Sequence, residues 1–191
     1  MDGQVNPFLK SIFLQPPVVC GKQLRPFSAF HACTLMLFDS PFMSEEPGEI
    51  KEVDLFFAVW VCSLSIKEKD KLFPEPDLQA IVAWVSEEKI SLKEELAAFN
   101  QYLLDYWSFP EVWQGQGATK ESGIPWPYFI VSSVLSGIQG LSEETIWDAA
   151  LSKLVCYKAA LDEQNGADIV SDRQKEMIEY LKEQEGKKLV L

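Results

Sequence analysis

His31 is the single histidine in the chain. It lies two residues before Cys33, with Cys20 a short way upstream. Imidazole and thiolate are zinc ligands, and they also work together as base and nucleophile. A zinc centre takes four such ligands, or three with a water, so Cys62 or Cys156 would have to fold in beside His31 and Cys33. The four cysteines are widely and irregularly spaced, with no C-x-x-C. That is the pattern of free, mostly buried thiols in a reducing compartment. At i and i+2 of a helix, His31 and Cys33 point apart rather than pair. The expectation is a first-turn histidine with a partly exposed ring, and no metal or cofactor.

Paired carboxylates are the other candidates for chemistry. Glu45-Glu46, Glu87-Glu88, Glu94-Glu95 and Glu143-Glu144 sit where loops and first helical turns are expected. Acid–base work needs two carboxyls in unlike environments, whereas these pairs read as solvated faces and partners of helix dipoles. No phosphate-binding glycine loop, H-E-x-x-H or G-x-S-x-G occurs, and GQG at 115–117 has no strand–helix pattern around it. No catalytic residue is expected, and the chain reads as a non-enzyme. One group of side chains suits binding instead. Trp107, Phe109, Trp113 and Trp126 lie in or beside a Pro/Gly-rich stretch at 108–127. Trp and Tyr dominate binding hot spots, so Phe109, Trp113 and Trp126 are the candidate partner anchors, against the competing reading that such rings serve the core.

The elements that must position these residues are helical. Ser28 caps a helix running to about Phe38, with Phe30, Cys33, Thr34 and Leu37 on one face, and Ser40-Pro41 ends it. Asn6-Pro7 opens a short helix before it, stopped by Pro16-Pro17. Between them, Val18-Val19-Cys20 and Gln23-Leu24 make a small hairpin, turning at Gly21-Lys22. Residues 44–52 are an acidic loop. Val53 to about Ser65 is apolar on nearly every side, which marks a central core helix. IKEKDKLFPEP is a solvated connection, and Asp77 caps the next helix. Ser91 and Glu94 form a capping box for a helix with Leu92, Leu96, Phe99, Leu103 and Tyr106 in a four-three seam. After the break, Tyr128–Gly137 forms a short buried helix. Leu141–Gly166 then reads as one long helix, capped by Ser142 and stopped by Asn165-Gly166. Its stripe is Ile146, Ala150, Leu154, Tyr157 and Leu161, widened by Trp147, Leu151 and Val155. Ser171 caps a last helix, and 187–191 is a tail. The architecture expected is all-α: a single-domain bundle over 1–191 of seven or eight helices with a small β-hairpin near the N-terminus.

Seventeen Lys and Arg against 29 Asp and Glu leave a net charge of −12. That balance opposes nucleic-acid binding and anionic membrane surfaces and favours a basic protein partner. MDGQVNPFLK has no basic region followed by an apolar core, and no apolar run reaches the roughly 18 residues of a membrane span. The expected place of action is the cytoplasm.

Three segments carry a family likeness: VVCGKQLRPFSAFHACTLMLFDSPF, the VDLFFAVWVCS helix, and PWPYFIVSSVLSGIQGLSEETIWDAALSKLVCYKAALDEQNGADI. Their order resembles the tail assembly chaperone-type proteins of tailed bacteriophages, with GLSEETIWDAAL at 140–151 the best single match and Trp147 at its centre. The acidic loop at 44–52 and the break at 108–127 have no counterpart in that pattern. The resemblance implies a small, mostly helical, non-enzymatic chaperone acting in the host cytoplasm on an apolar helical segment of a long tape-measure-like tail protein. The competing readings are a structural virion or scaffold component and an enzyme built on His31 with Cys33.

Overall fold

The computed structural model describes residues 13–44, 46, 48–73, 76–85, 91–107, 112–113, 123–166 and 170–171. Among them the chain is mostly helical, with a two-stranded hairpin near the N-terminus. β1 (Val18–Val19) and β2 (Lys22–Gln23) pair antiparallel, Val19 opposite Lys22. The turn is therefore Cys20-Gly21, one residue earlier than expected. Both turn residues have positive φ, 49° and 67°, as a primed hairpin turn requires. Positive φ is unusual for cysteine, and the backbone N–H of Cys20 is held by the Glu95 carboxylate.

α1 (Ala29–Leu37) starts at Ser28 as expected. Its core side, however, is Ala29, Phe30, His31, Ala32, Thr34 and Leu35, while Leu37 is 62% exposed. A short 3-10 turn, Pro41–Met43, follows. α2 (Glu52–Ser63) buries Leu55, Phe56, Ala58, Val59, Val61 and Cys62. Phe57 and Trp60 pack against the same core, with Phe38 edge-on to Phe57 at 5.3 Å. This helix has neighbours on several sides, among them α1, α3 and α4. Its start is tied by Lys51 N–H donating to Asp54 Oδ2 at 2.8 Å.

The expected solvated connection contains a 3-10 helix, Ile66–Leu72, that buries Leu72. Glu68 organises its first turn, accepting from Ser65 N–H at 3.0 Å and pairing with Lys71 at 2.7 Å. In α3 (Leu78–Val85) only Ile81 and Val85 are fully buried, and Asp77 Oδ1 caps the helix by accepting from Gln79 and Ala80 N–H. α4 (Leu92–Trp107) buries Phe99, Tyr102, Leu103 and Tyr106. The seam is thus an intramolecular one, and it weakens at its N-terminal end, where Leu92 is 39% exposed.

β3 (Val112–Trp113) pairs antiparallel with β4 (Val170–Ser171), an unexpected ladder joining the break to the chain after residue 166. Ser171 is therefore strand, and the helix expected after it lies outside the described residues, as does most of the helix expected at the N-terminus. α5 (Trp126–Gly137) begins two residues earlier than expected, because Pro127 at the first turn lacks only an N–H that has no intrahelical partner there.

The largest correction concerns residues 141–166. Ser142 does cap, accepting from Thr145 N–H at 3.2 Å, and Gly166 does end the run at φ +88°. Between them stand two helices, α6 (Glu143–Asp148) and α7 (Leu151–Gln164). Ala149 and Ala150 are extended, with ψ of 146° and 128°. Neither proline nor glycine breaks the helix. A tertiary bridge does: Ser28 and Ala150 pair antiparallel, and Leu151 N–H donates to the Phe27 carbonyl at 2.8 Å. α7 packs on α5, and at Gly137 a side chain would meet Leu161 at 2.5 Å.

Candidate functional site

Two regions gather the residues that sequence reasoning singled out. The first is a buried junction around residues 25–31. Here the extended strap Arg25-Pro26-Phe27-Ser28 passes between the end of α2 and the α6–α7 break. Arg25 N–H donates to the Cys62 carbonyl at 2.9 Å, and the Tyr102 hydroxyl donates to the Arg25 carbonyl at 2.8 Å. The Arg25 guanidinium lies 3.9 Å from Asp148, whose other oxygen accepts from Ile66 N–H at 2.7 Å. Phe27 is fully buried, stacked on Trp107 at 5.8 Å and edge-on to Tyr102 at 5.9 Å.

His31 sits at the centre of this junction and is 1% exposed, not partly exposed as expected. The reason is a capping box with histidine in the third helical position. Ser28 N–H donates to His31 Nδ1 at 3.2 Å, and His31 N–H reaches back to Ser28 Oγ at 3.4 Å. The other nitrogen, Nε2, lies 2.8 Å from the Leu64 carbonyl. These partners assign a neutral ring with the proton on Nε2, because Nδ1 must accept and a carbonyl cannot donate. Burial pushes the pKa down to about 4. Leu64 and Asp148 pull the other way without overcoming burial.

That arrangement leaves the imidazole no lone pair for an external ligand. The thiols fare no better as nucleophiles. Burial raises Cys20 to about 12 and Cys33 to about 11, and it raises Cys62 further, so each is held as a thiol when reactivity needs thiolate. None of the four cysteines is in a disulfide. Among the described residues no group of three or more metal-ligating side chains comes together, and no helix is long and apolar enough to cross a membrane. Three members of the carboxylate pairs make local structural contacts. Glu95 holds the hairpin turn, Glu144 lies 3.6 Å from Lys67, and Glu143 accepts from Trp147 Nε1. Glu45, Glu87 and Glu88 lie outside the described residues.

The second region is aromatic. Of the three expected anchors, Phe109 lies outside the described residues. Trp113 has its backbone in β3, opposite Val170. Trp126 opens α5 and packs against Trp107 at 5.1 Å, extending the ring sequence that starts at Tyr102 and Phe27. The half-exposed aromatics are the next two aromatic residues of α5, Tyr128 at 52% and Phe129 at 48%. Tyr128 meets Trp147 of α6 at 5.6 Å, and the Lys158 ammonium lies 5.4 Å from the centre of the Phe129 ring. Sequence reasoning assigned Tyr128 and Phe129 to a buried helix. Their exposure follows from helical period: Ile130, Val131 and Val134 take the core side, which leaves Tyr128, Phe129, Ser132 and Ser136 facing out. The serines at that spacing were the available signal. The junction had a signal too, since Ser28-x-x-His31 places an acceptor side chain where a capping box has Glu or Gln.

Comparison of the chain with protein-family models, with curated proteins and with solved structures finds no significant match to any of them.

Proposed function

We propose that this protein is a non-enzymatic assembly chaperone of the tailed-phage kind, holding an apolar helical segment of a long, tape-measure-like tail protein in the host cytoplasm. The observation that carries the proposal is the aromatic pair Tyr128 and Phe129, each about half exposed on α5 and continued by Trp147 of α6 through Tyr128. Trp147, which continues this face, stands at the centre of residues 140–151, the best single match of the family likeness. Half-exposed aromatics on a rigid helix are the usual material of a hot spot, and a flat helical face suits an amphipathic partner helix. A net charge of −12 favours a partner with basic flanks and speeds encounter with it. Phe109 and Trp113 remain anchors in this reading, while Trp126 packs against Trp107. The buried, fully bonded His31 and the raised thiols speak for a binding role over chemistry.

The test is co-expression with a long, tape-measure-like tail protein of a tailed phage. The partner is expected to stay soluble with this chain and to precipitate without it. Tyr128→Ser with Phe129→Ser should weaken that rescue at least tenfold in a pull-down titration while leaving the circular dichroism spectrum unchanged. A partner that is soluble alone and never co-purifies sinks the chaperone reading. Stoichiometric recovery of this chain in finished particles would instead make it a structural virion component.

A further inference from the structure

We propose that residues 143–164 form a two-state element, broken at Ala149-Ala150 while the strap at 25–28 is seated, and a single continuous helix when the strap lets go. Local sequence favours the continuous state. No proline or glycine occurs between Ser142 and Asn165, and alanine, the best helix former, occupies both break positions. Ile146, Ala150, Leu154, Tyr157 and Leu161 run across the break without losing helical spacing. The broken state, by contrast, has features that a helix end avoids. α7 starts at Ala150 with no side-chain cap, so its first N–H groups look outside the helix for partners. α6 ends on Asp148, a negative charge at the negative end of its dipole.

What holds the break is remote. Leu151 N–H donates to the Phe27 carbonyl at 2.8 Å, and Ala150 bridges Ser28. Asp148 accepts from Ile66 N–H at 2.7 Å and faces Arg25 at 3.9 Å. With those contacts gone, the carbonyls at the end of α6 and the N–H groups at the start of α7 can bond each other, and the helix spans roughly 33 Å end to end. The two states then differ by which partners the same backbone groups choose. A bound segment that prefers the straight form shifts the balance by its difference in affinity. That last step rests on the chaperone reading, whereas the two-state element does not.

The experiment is backbone NMR on the full chain, reading the 13Cα shifts of Ala149 and Ala150. In the unaltered protein both should be extended. Asp148→Ala removes the Ile66 bond and the Arg25 ion pair together. It should move both alanines toward helical shifts, a several-fold rise in helical population. Adding Ala150→Pro to Asp148→Ala should return Ala149 to its extended shift, because proline cannot sit inside a helix. Ala150→Pro alone should leave the native spectrum and the urea midpoint intact. The Ala150 φ of −52° fits the proline ring, and the Ala149 ψ of 146° fits the residue before one. If Asp148→Ala leaves both alanines extended, or sends them to random-coil values, the two-state element is wrong. If Ala150→Pro alone loses the native spectrum, the break itself is wrong. Should Asp148→Ala fail to fold, Asp148→Asn keeps an acceptor for Ile66 and removes the charge. It is expected to show the same shift at smaller amplitude, and no shift overturns the proposal.

Discussion

The starts of α1 and α7 face each other across the Ser28–Ala150 bridge, yet they are made in different ways. α1 begins with a reciprocal side-chain cap, Ser28 and His31 serving each other's backbone N–H. α7 begins on Ala150 with no cap, and its first N–H, that of Leu151, finds the carbonyl of Phe27. One helix start is written in four consecutive residues. The other is imposed by a segment more than a hundred positions away. A locally encoded start persists when the surroundings loosen, while an imposed one lasts only as long as the contact that imposes it.

The harshest way to break the comparison is to remove what the two starts share. Phe27 is fully buried between Trp107, Tyr102 and His31. Phe27→Ala should cost roughly 3–5 kcal/mol in urea unfolding. A loss below about 1 kcal/mol would mean that the strap is not part of the core.

Acid gives a milder break with a definite sign. The His31 pKa is about 4 in the folded chain, down from an ordinary 6.5. Between those values the unfolded chain binds a proton that the folded chain refuses, so stability falls as pH drops from 6.5 toward 4 and this contribution levels off below that. The loss should be on the order of 3 kcal/mol. The charged groups facing the ring are Asp148 and Arg25. His31→Gln, which can still cap Ser28 N–H, should flatten the slope between pH 6.5 and 4. An unaltered slope would assign the acid sensitivity to other groups.

The smallest effect sharpens the contrast. Ser142→Ala removes the exposed cap of α6, and Ser28→Ala the buried cap of α1. Each should cost about 1 kcal/mol, the Ser28 change more, because it also loosens the strap beside Ala150. Amide exchange at Leu151 should quicken in Ser28→Ala and stay unchanged in Ser142→Ala. Equal quickening in both would mean that α7 does not depend on the strap.

This contrast also explains which parts of the molecule were legible in the sequence. The helix starts at Ser28, Asp77 and Ser142 and the all-round apolar α2 were readable, since a cap or a periodicity is local information. The Cys20-Gly21 turn was readable to within one residue. The division of 143–164 was not, because nothing in LSEETIWDAALSK signals a stop and the cause lies at Phe27 and Ile66. Burial of His31 was misread for a related reason. Its helical position was right, but the carbonyl that closes over its far nitrogen belongs to Leu64. On the aromatic face, α5 was expected, yet which of its rings turn outward depends on the neighbours that cover Ile130, Val131 and Val134.

The bridge between Ser28 and Ala150 also sets a timetable for synthesis. The hairpin, α1 and α2 leave the ribosome early, with the strap's Phe27 carbonyl and one side of the His31 junction still uncovered. At roughly 5–20 residues per second, the partner strand at Ala150 follows only after several more seconds. For that interval the Phe27 carbonyl has no Leu151 N–H to accept from, and the strap closes only as residues 148–151 dock.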